Sequence, residues 1–345
     1  MSLHSEIFEQ PSRLTDLLAS QRNHVQRIAR EIQAREVQFV FLAARGTSDN
    51  AGRYANYLWG GMNGLPMALA TPSLFTYYQQ PPKLKNALVV GISQSGQSPD
   101  IVSVIQEGKR QGNLTLAITN SPDSPLAQSA DFVLDIKAGA ELAVAATKTY
   151  TTELMAIAML SAALTGTEMR WEELGRVSGW MEETLKLDEN IQNSVRQYRS
   201  IKNCVVLGRG YNYATAFEWA LKLKELTYIG AEPYSSADFK HGPEAMVGEG
   251  FTVMAIAPEG KVFHSLLDFL IHLKHDLLAE LVIVSNVDTA LLLAQAPFAI
   301  PANIPEWLSP LVAIVPAQLF SYHLTLAKGF DPDNPRTISK VTETH

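Results

Sequence analysis

The sequence predicts an α/β protein made of two doubly wound domains in tandem. Short apolar runs alternate with segments of helical period along the chain, one strand–turn–helix pattern occurs twice, and the composition is that of an ordinary globular protein. Strands alternating with helices at this spacing indicate a parallel sheet with helices on both faces. With 345 residues, 46% hydrophobic and 18% charged, the chain has the length of about two domains.

Residues 1–36, rich in mixed charge, read as one or two helices packed on the outside. QFVFLAARGTSDNAGRYANYL, from Gln38, is an apolar strand, an Arg-Gly turn and an amphipathic helix. Strand-like runs follow at 88–92, 114–119 and 132–136, with helical patterns at 99–111 and 147–164, so the first domain is expected over 37–165. The polar stretch 166–200 carries Leu174, Val177, Trp180 and Leu185 at helical period and reads as helices joining the domains. NCVVLGRGYNYATAFEWALKLKEL, from Asn203, then repeats the opening pattern, with Arg209 lying 164 residues beyond Arg45. Further strands at 253–257 and 281–285 complete a second domain over 201–330, and 331–345 reads as a polar surface tail with Pro332 and Pro335.

A net charge of −7 argues against nucleic acid or an anionic membrane as partner, so any anion must be held by a local site. Cys204 is the only cysteine, which excludes disulfides and cysteine metal clusters and points to the cytoplasm. The longest apolar stretch is read at 154–164, too short to span a bilayer, and the start does not resemble a signal peptide.

LVVGISQSGQSPDIVSVIQEGKRQG is the most informative segment. An apolar strand runs into Ser93, Gln94, Ser95, Gly96 and Ser98, and Pro99 opens a helix whose apolar face is Ile101, Val104 and Ile105. Gly96 allows close backbone approach to a ligand, and the amides and dipole of a helix start favour an anion. This is the outline of a phosphate cradle, and equally of an ordinary turn capped by serine. Gly46, Thr47 and Ser48, and Thr119 and Asn120, fall at other strand ends where such a sheet binds ligands.

Candidates for chemistry lie in the second half. On ALKLKELTYIG, Lys222 and Glu225 share one helix face, with Leu221, Leu223 and Leu226 for packing. A solvated surface ion pair fits the same spacing. His241-Gly242-Pro243 is a turn presenting an imidazole on a loop, a placement that is often incidental. Together a glutamate, a histidine and lysines are what an aldose–ketose rearrangement needs. Gly208-Arg209-Gly210 lacks the full GxGxxG spacing of a dinucleotide loop.

The motifs EIFEQP (from Glu6), GTS (46–48), SQSG (93–96), AATK (145–148), ALKLKE (220–225), KHGP (240–243) and DPDNPRTISKVT together resemble the SIS (sugar isomerase) superfamily. Within it the chain is similar to the isomerase half of glutamine:fructose-6-phosphate amidotransferases and, more closely, to SIS-type glucosamine-6-phosphate deaminases. The resemblance implies two αβα sandwiches, each with a five-stranded parallel sheet. The chain opens at EIFEQP without an amino-terminal catalytic cysteine, and it has Ala146 where the synthases have serine; both favour the deaminases, converting glucosamine 6-phosphate to fructose 6-phosphate and ammonia. Deglycation of a fructosamine phosphate, another phosphosugar isomerisation, or sugar-phosphate sensing without chemistry, are the alternatives.

The resemblance implies that Ser93, Gln94, Ser95 and Ser98, with Thr47 or Ser48, hold the phosphate, and that Gly46, Val144, Ala145 and Ala146 line the sugar. It gives His241 ring opening from the second subunit of a homodimer, Glu225 the proton transfer between C2 and C1, Lys222 charge stabilisation, and Lys340 closure over the sugar. No metal or other cofactor is expected.

Overall fold

In a computed structural model residues 2–340 are described; residues 341–345 of the expected tail lie outside the described residues. Strands β1 (Phe39–Ala43), β2 (Met67–Leu69), β3 (Ala87–Ile92), β4 (Leu114–Thr119) and β5 (Phe132–Asp135) form one sheet in the order β2-β1-β3-β4-β5. Strands β6 (Asn203–Gly208), β7 (Gly230–Ser235), β8 (Thr252–Ile256), β9 (Glu280–Ser285) and β10 (Ala296–Ala299) form a second, in the order β10-β9-β8-β6-β7. Every pairing is parallel. Read from the opposite edge, the second order repeats the first, so the internal repeat seen in the sequence is a repeat of topology. In each sheet the winding reverses beside the first strand, between β1 and β3 and between β6 and β8, and the crevice beyond those carboxyl ends is where such sheets bind ligands.

The apolar runs of the sequence are the inner strands. Strands β3, β4 and β8 are buried at every residue, as a strand covered on both faces must be. Three strands of the two five-stranded sheets were not located by the apolar runs: β2, β7 and β10. All are edges, short or broken by polar residues and proline (Pro233 in β7, Pro297 in β10). An edge strand has one unpaired side and tolerates proline, so it carries no apolar run to read.

The chain divides into two compact units, one holding the first sheet (12–141, 148–176 and 339–340) and one holding the second (2–11, 142–147 and 177–338). In the first, Phe41, Val89, Ile101, Ile105 and Leu126 pack between β1, β3 and the helix Pro99–Arg110. In the second, Val205, Leu207, Phe263, Phe269 and Leu281 do the same beside the helix Phe263–His275. Helices Leu3–Phe8 and Gln10–Ala34 account for the first 36 residues, and Glu168–Gly175, Val177–Leu185 and Asp188–Ser194 for most of the polar stretch after 166. The reading of 154–164 as the longest apolar stretch is corrected: Glu306–Ala327 is longer and apolar enough to cross a membrane by length and composition, yet is 83% buried within the protein. Its scattered Ser309, Gln318, Ser321 and His323 hid it from a search for unbroken apolar runs, and Gln318 is bonded by the Gln10 amide at 2.9 Å. Cys204 lies in β6, and burial pushes its thiol up to about 12.

Candidate functional site

The first sheet supplies two turns at the switch point. After β1, Arg45 is extended and Gly46 (φ +54°) opens the helix Gly46–Asn63, with Thr47 half-buried in its first turn. After β3, residues 93–98 form a turn and Pro99 opens the next helix. The two turns are tied together by Arg45, whose Nε and Nη2 donate to Asp100 Oδ2 at 2.9 and 2.8 Å; Asp100 is fully buried and Arg45 about half exposed. Two helix starts, which favour an anion, thus flank the hydroxyl groups, with the Arg45 guanidinium already bound to Asp100 beside them.

The turn is not the ordinary serine-capped kind. Ser98 occupies the N-cap position of the helix but its side chain makes no capping bond. Ser93 Oγ accepts from the Gly96 amide (3.2 Å) and Ser95 Oγ from the Gln97 amide (3.3 Å). In both cases the hydroxyl proton is not the one used, so it is left to donate to an acceptor. Gln94 is half-buried, its carbonyl accepting from Thr119 Oγ1 and the Asn120 amide.

Three sequence expectations change here. Gly96 (φ +62°) does allow a close approach, but to Ser124: a Cβ would stand 2.0 Å from Ser124 Oγ and 3.2 Å from Thr119 Oγ1. Its role is to let the turn settle on the protein. Ser48 is buried and its hydroxyl donates to Glu153 at 2.8 Å, which directs its proton inward and away from a phosphate. Asn120 brackets the loop after β5, donating to the Gly139 carbonyl (2.7 Å) and accepting from the Ala138 amide (2.9 Å). A cavity of about 890 Å³ runs along that loop, lined by Arg13, Asp16, Asn120, Asp135 and Lys137, and includes none of Ser93, Ser95 and Ser98.

Within the second unit, the helix Tyr213–Thr227 carries Lys222 and Glu225. The lysine of this pair is out of solvent. The Lys222 side chain is 2% exposed and Glu225 is 25%, with Nζ donating to Glu225 Oε2 at 2.6 Å; Glu218, one turn back and wholly buried, lies 3.3 Å away. Burial alone would push the Lys222 amine down, but the charges of Glu218 and Glu225 outweigh it and hold its pKa above the ordinary lysine value. An ammonium held in its charged form behind a partly exposed carboxylate can place that carboxylate and stabilise negative charge nearby. Glu218 was missed, although its spacing of four from Lys222 was legible.

His241 stands exposed at the turn before the short helix Pro243–Met246. That turn is braced: Glu244 Oε1 meets His272 Nε2 at 2.6 Å, and Lys240 lies 4.6 Å from the Phe269 ring centre. Segment 142–147, with Val144 and Ala146 half-buried and Ala145 buried, is held by EIFEQP. Buried Glu6 accepts from the amides of Leu142 (2.5 Å) and Ala143 (3.3 Å). The sequence offered no signal for this role, because the partners are 136 and 137 residues apart. Arg336 stacks on Tyr228, its guanidinium 3.9 Å from the ring centre, which anchors the described start of the tail at that residue. In the first unit Lys340 Nζ donates to buried Glu141, which also accepts from Thr149 N and Oγ1.

The structure therefore groups Gly46 and Thr47 with Ser93, Gln94, Ser95 and Ser98, groups Lys222 with Glu225 and Glu218, and pins Lys340 on Glu141. Among the described residues the one cluster with metal-ligand spacing involves none of these.

Comparison with known proteins agrees with this architecture. The SIS domain profile matches residues 35–163 and again 197–328. The chain is 34% identical over 337 residues to the glutamine–fructose-6-phosphate aminotransferase (isomerizing) of Methanothermobacter thermautotrophicus, covering 97% of this chain and 56% of that protein. It thus spans little more than half the length of that relative. The C-terminal domain of glucosamine-fructose-6-phosphate aminotransferase from Francisella tularensis superposes with a TM-score of 0.87 at 29% identity, over 96% of this chain and 98% of that one. A glucosamine-6-phosphate deaminase from Thermotoga maritima shares the fold at a TM-score of 0.73 and 21% identity, over 96% and 100%. With the twofold profile match falling on the two sheets of identical winding, the chain belongs to the SIS domain family.

Proposed function

We propose that the chain is a phosphosugar isomerase that acts on an amino sugar, converting glucosamine 6-phosphate and water to fructose 6-phosphate and ammonia. The observation that carries the reading is the buried Lys222 charge set behind the partly exposed Glu225 carboxylate, an arrangement with chemical use and little structural one. The hydroxyls of Ser93, Ser95 and Ser98, with Thr47 and the two helix starts, bind the 6-phosphate. Anchoring the substrate there fixes the reacting carbons and supplies part of the barrier reduction. His241, contributed by a second subunit, opens the ring. Glu225 takes the proton from C2 of the open-chain aldehyde and returns it at C1, through an enolamine, while Lys222 stabilises the charge on O1. The resulting C2 imine adds water and releases ammonia, and the carbonyl of fructose 6-phosphate remains. Lys340 closes over the sugar.

Ala146, which has no hydroxyl to offer the sugar, favours deamination over the amino transfer that the curated relatives' names describe. Those names favour a second reading, isomerisation of fructose 6-phosphate itself, which uses the same proton transfer. The test is incubation of purified protein with glucosamine 6-phosphate while ammonia and fructose 6-phosphate are followed through coupled enzymes. Equal release of both, reduced roughly 10²- to 10⁴-fold in Glu225→Gln, supports the deaminase. Release in which Glu225→Gln is as fast as the parent chain would sink the proton-transfer assignment. Binding of the phosphosugar with no release moves the reading to deglycation of a fructosamine phosphate, isomerisation or sensing.

A further inference from the structure

Three helices of the second unit converge on a group of side chains that the reaction above does not use. Helix Leu3–Phe8 brings His4, helix Asp188–Ser194 brings Asp188, and the buried helix Ser309–Ala327 brings His323. His4 Nε2 lies 3.1 Å from Asp188 Oδ2, and His323 Nε2 lies 2.7 Å from Asp188 Oδ1. The three donor atoms are within 4.8 Å of one another.

We propose that His4, Asp188 and His323 form a binding site for a divalent transition metal of the zinc class. Two imidazoles and one carboxylate suit such an ion, and three protein ligands leave a fourth position for water. Tetrahedral zinc, with bonds of about 2.0–2.1 Å, sets its donors about 3.3 Å apart. The present separations are therefore brought to coordination distance by a shift of about 1.5 Å at most. His4 can supply it, being 32% exposed on a six-residue helix. His323 is nearly buried; metal at Nε2 would leave its ring proton on Nδ1, which bonds no protein atom and so lacks the outer partner that a ligating imidazole usually has. The setting is negative. Asp333, which accepts from the Leu3 amide at 2.6 Å, adds a further carboxylate next to the helix that bears His4.

Such an ion would staple the amino-terminal helix to the core of its unit. Glu6 on that helix holds the amides of Leu142 and Ala143, so the metal would also steady the segment bearing Val144, Ala145 and Ala146.

The test uses the 345-residue chain, untagged, stripped with EDTA and titrated with Zn²⁺ or Co²⁺. Bound metal is counted by mass spectrometry and the Co²⁺ complex is followed by visible absorption. One tight ion per chain is expected, with a visible d–d band from the Co²⁺ complex. His4→Gln and Asp188→Asn should each weaken binding by more than the 10- to 100-fold typical of losing an outer partner and abolish the band. His4→Gln alters a partly exposed side chain, so loss of metal with an unchanged circular dichroism spectrum supports the site. No binding by the parent chain, or the same stoichiometry and spectrum in both variants, overturns it and leaves Asp188 as a plain acceptor of two imidazole N–H groups.

Discussion

Gly96→Ala tests how the serine turn is built. The residue has φ +62°, and an added Cβ would stand 2.0 Å from Ser124 Oγ and 2.5 Å from Ser124 Cβ. The left-handed backbone costs an alanine about 1–2 kcal/mol, and overpacking of this kind adds about 1–3 kcal/mol. A total loss of about 2–5 kcal/mol is expected, read as a lower midpoint in urea unfolding with unchanged slope. The two contributions separate in a double variant. Ser124 caps the helix Pro125–Ser129 through a long bond to the Ala127 amide (3.4 Å), and serine to glycine at a cap costs only a few tenths of about 1 kcal/mol. Gly96→Ala with Ser124→Gly should therefore recover most of the steric loss and keep the backbone loss of about 1–2 kcal/mol. A single variant within about 0.5 kcal/mol of the parent, or a double variant no better than the single, would refute the account of why a glycine stands in this turn.

Removal of the guanidinium in Arg45→Met leaves Asp100 buried without its ion-pair partner; a loss of about 1–3 kcal/mol is expected, between the values for exposed and buried pairs, and the KM for the sugar phosphate should rise. Unfolding curves with steady-state kinetics would detect both, and an unchanged KM would remove Arg45 from the cradle. His272, held by Asp276 and Glu244, has its pKa raised, first by the Asp276 bond. Its stabilising contribution is then fully present below about pH 6.5 and lost as pH rises through the raised native value. An NMR titration should place the His272 midpoint above 6.5, and the stability gap between the parent and His272→Gln should shrink with rising pH; a gap that widens contradicts the brace on the His241 turn. Cys204, buried and with its thiol pushed up to about 12, should be inert to thiol reagents until the chain unfolds, and rapid labelling of native protein would contradict its place in β6.

The two sheets were legible in the sequence because their inner strands are covered on both faces. Runs such as LVVGI and NCVVLG can be little else, and the repeated Arg-Gly turn announced the duplication. Yet the repeat extends only to the backbone: Arg45 bonds Asp100, whereas Arg209 bonds Ser265 at 2.7 Å. Lys222 and Glu225 were visible as neighbours on a helix, but whether they formed a surface ion pair or a buried one depended on what packed over them. Burial belongs to the whole fold, and local spacing does not contain it.

Sequence alone determined the fold class, the order of the inner strands along the chain, the hydroxyl-rich turn and the acid-base candidates, since each rests on periodicity or on residues adjacent in the chain. Tertiary structure decided which hydroxyls are tied up as donors within the protein. It turned Ser48 toward Glu153 and left Ser98 without a capping bond. It also set Glu6 on a loop more than 130 residues away and gathered His4, Asp188 and His323 from three distant helices. Hydrogen bonds between remote segments exist only once packing has brought the segments together, and so they leave no pattern in the order of residues.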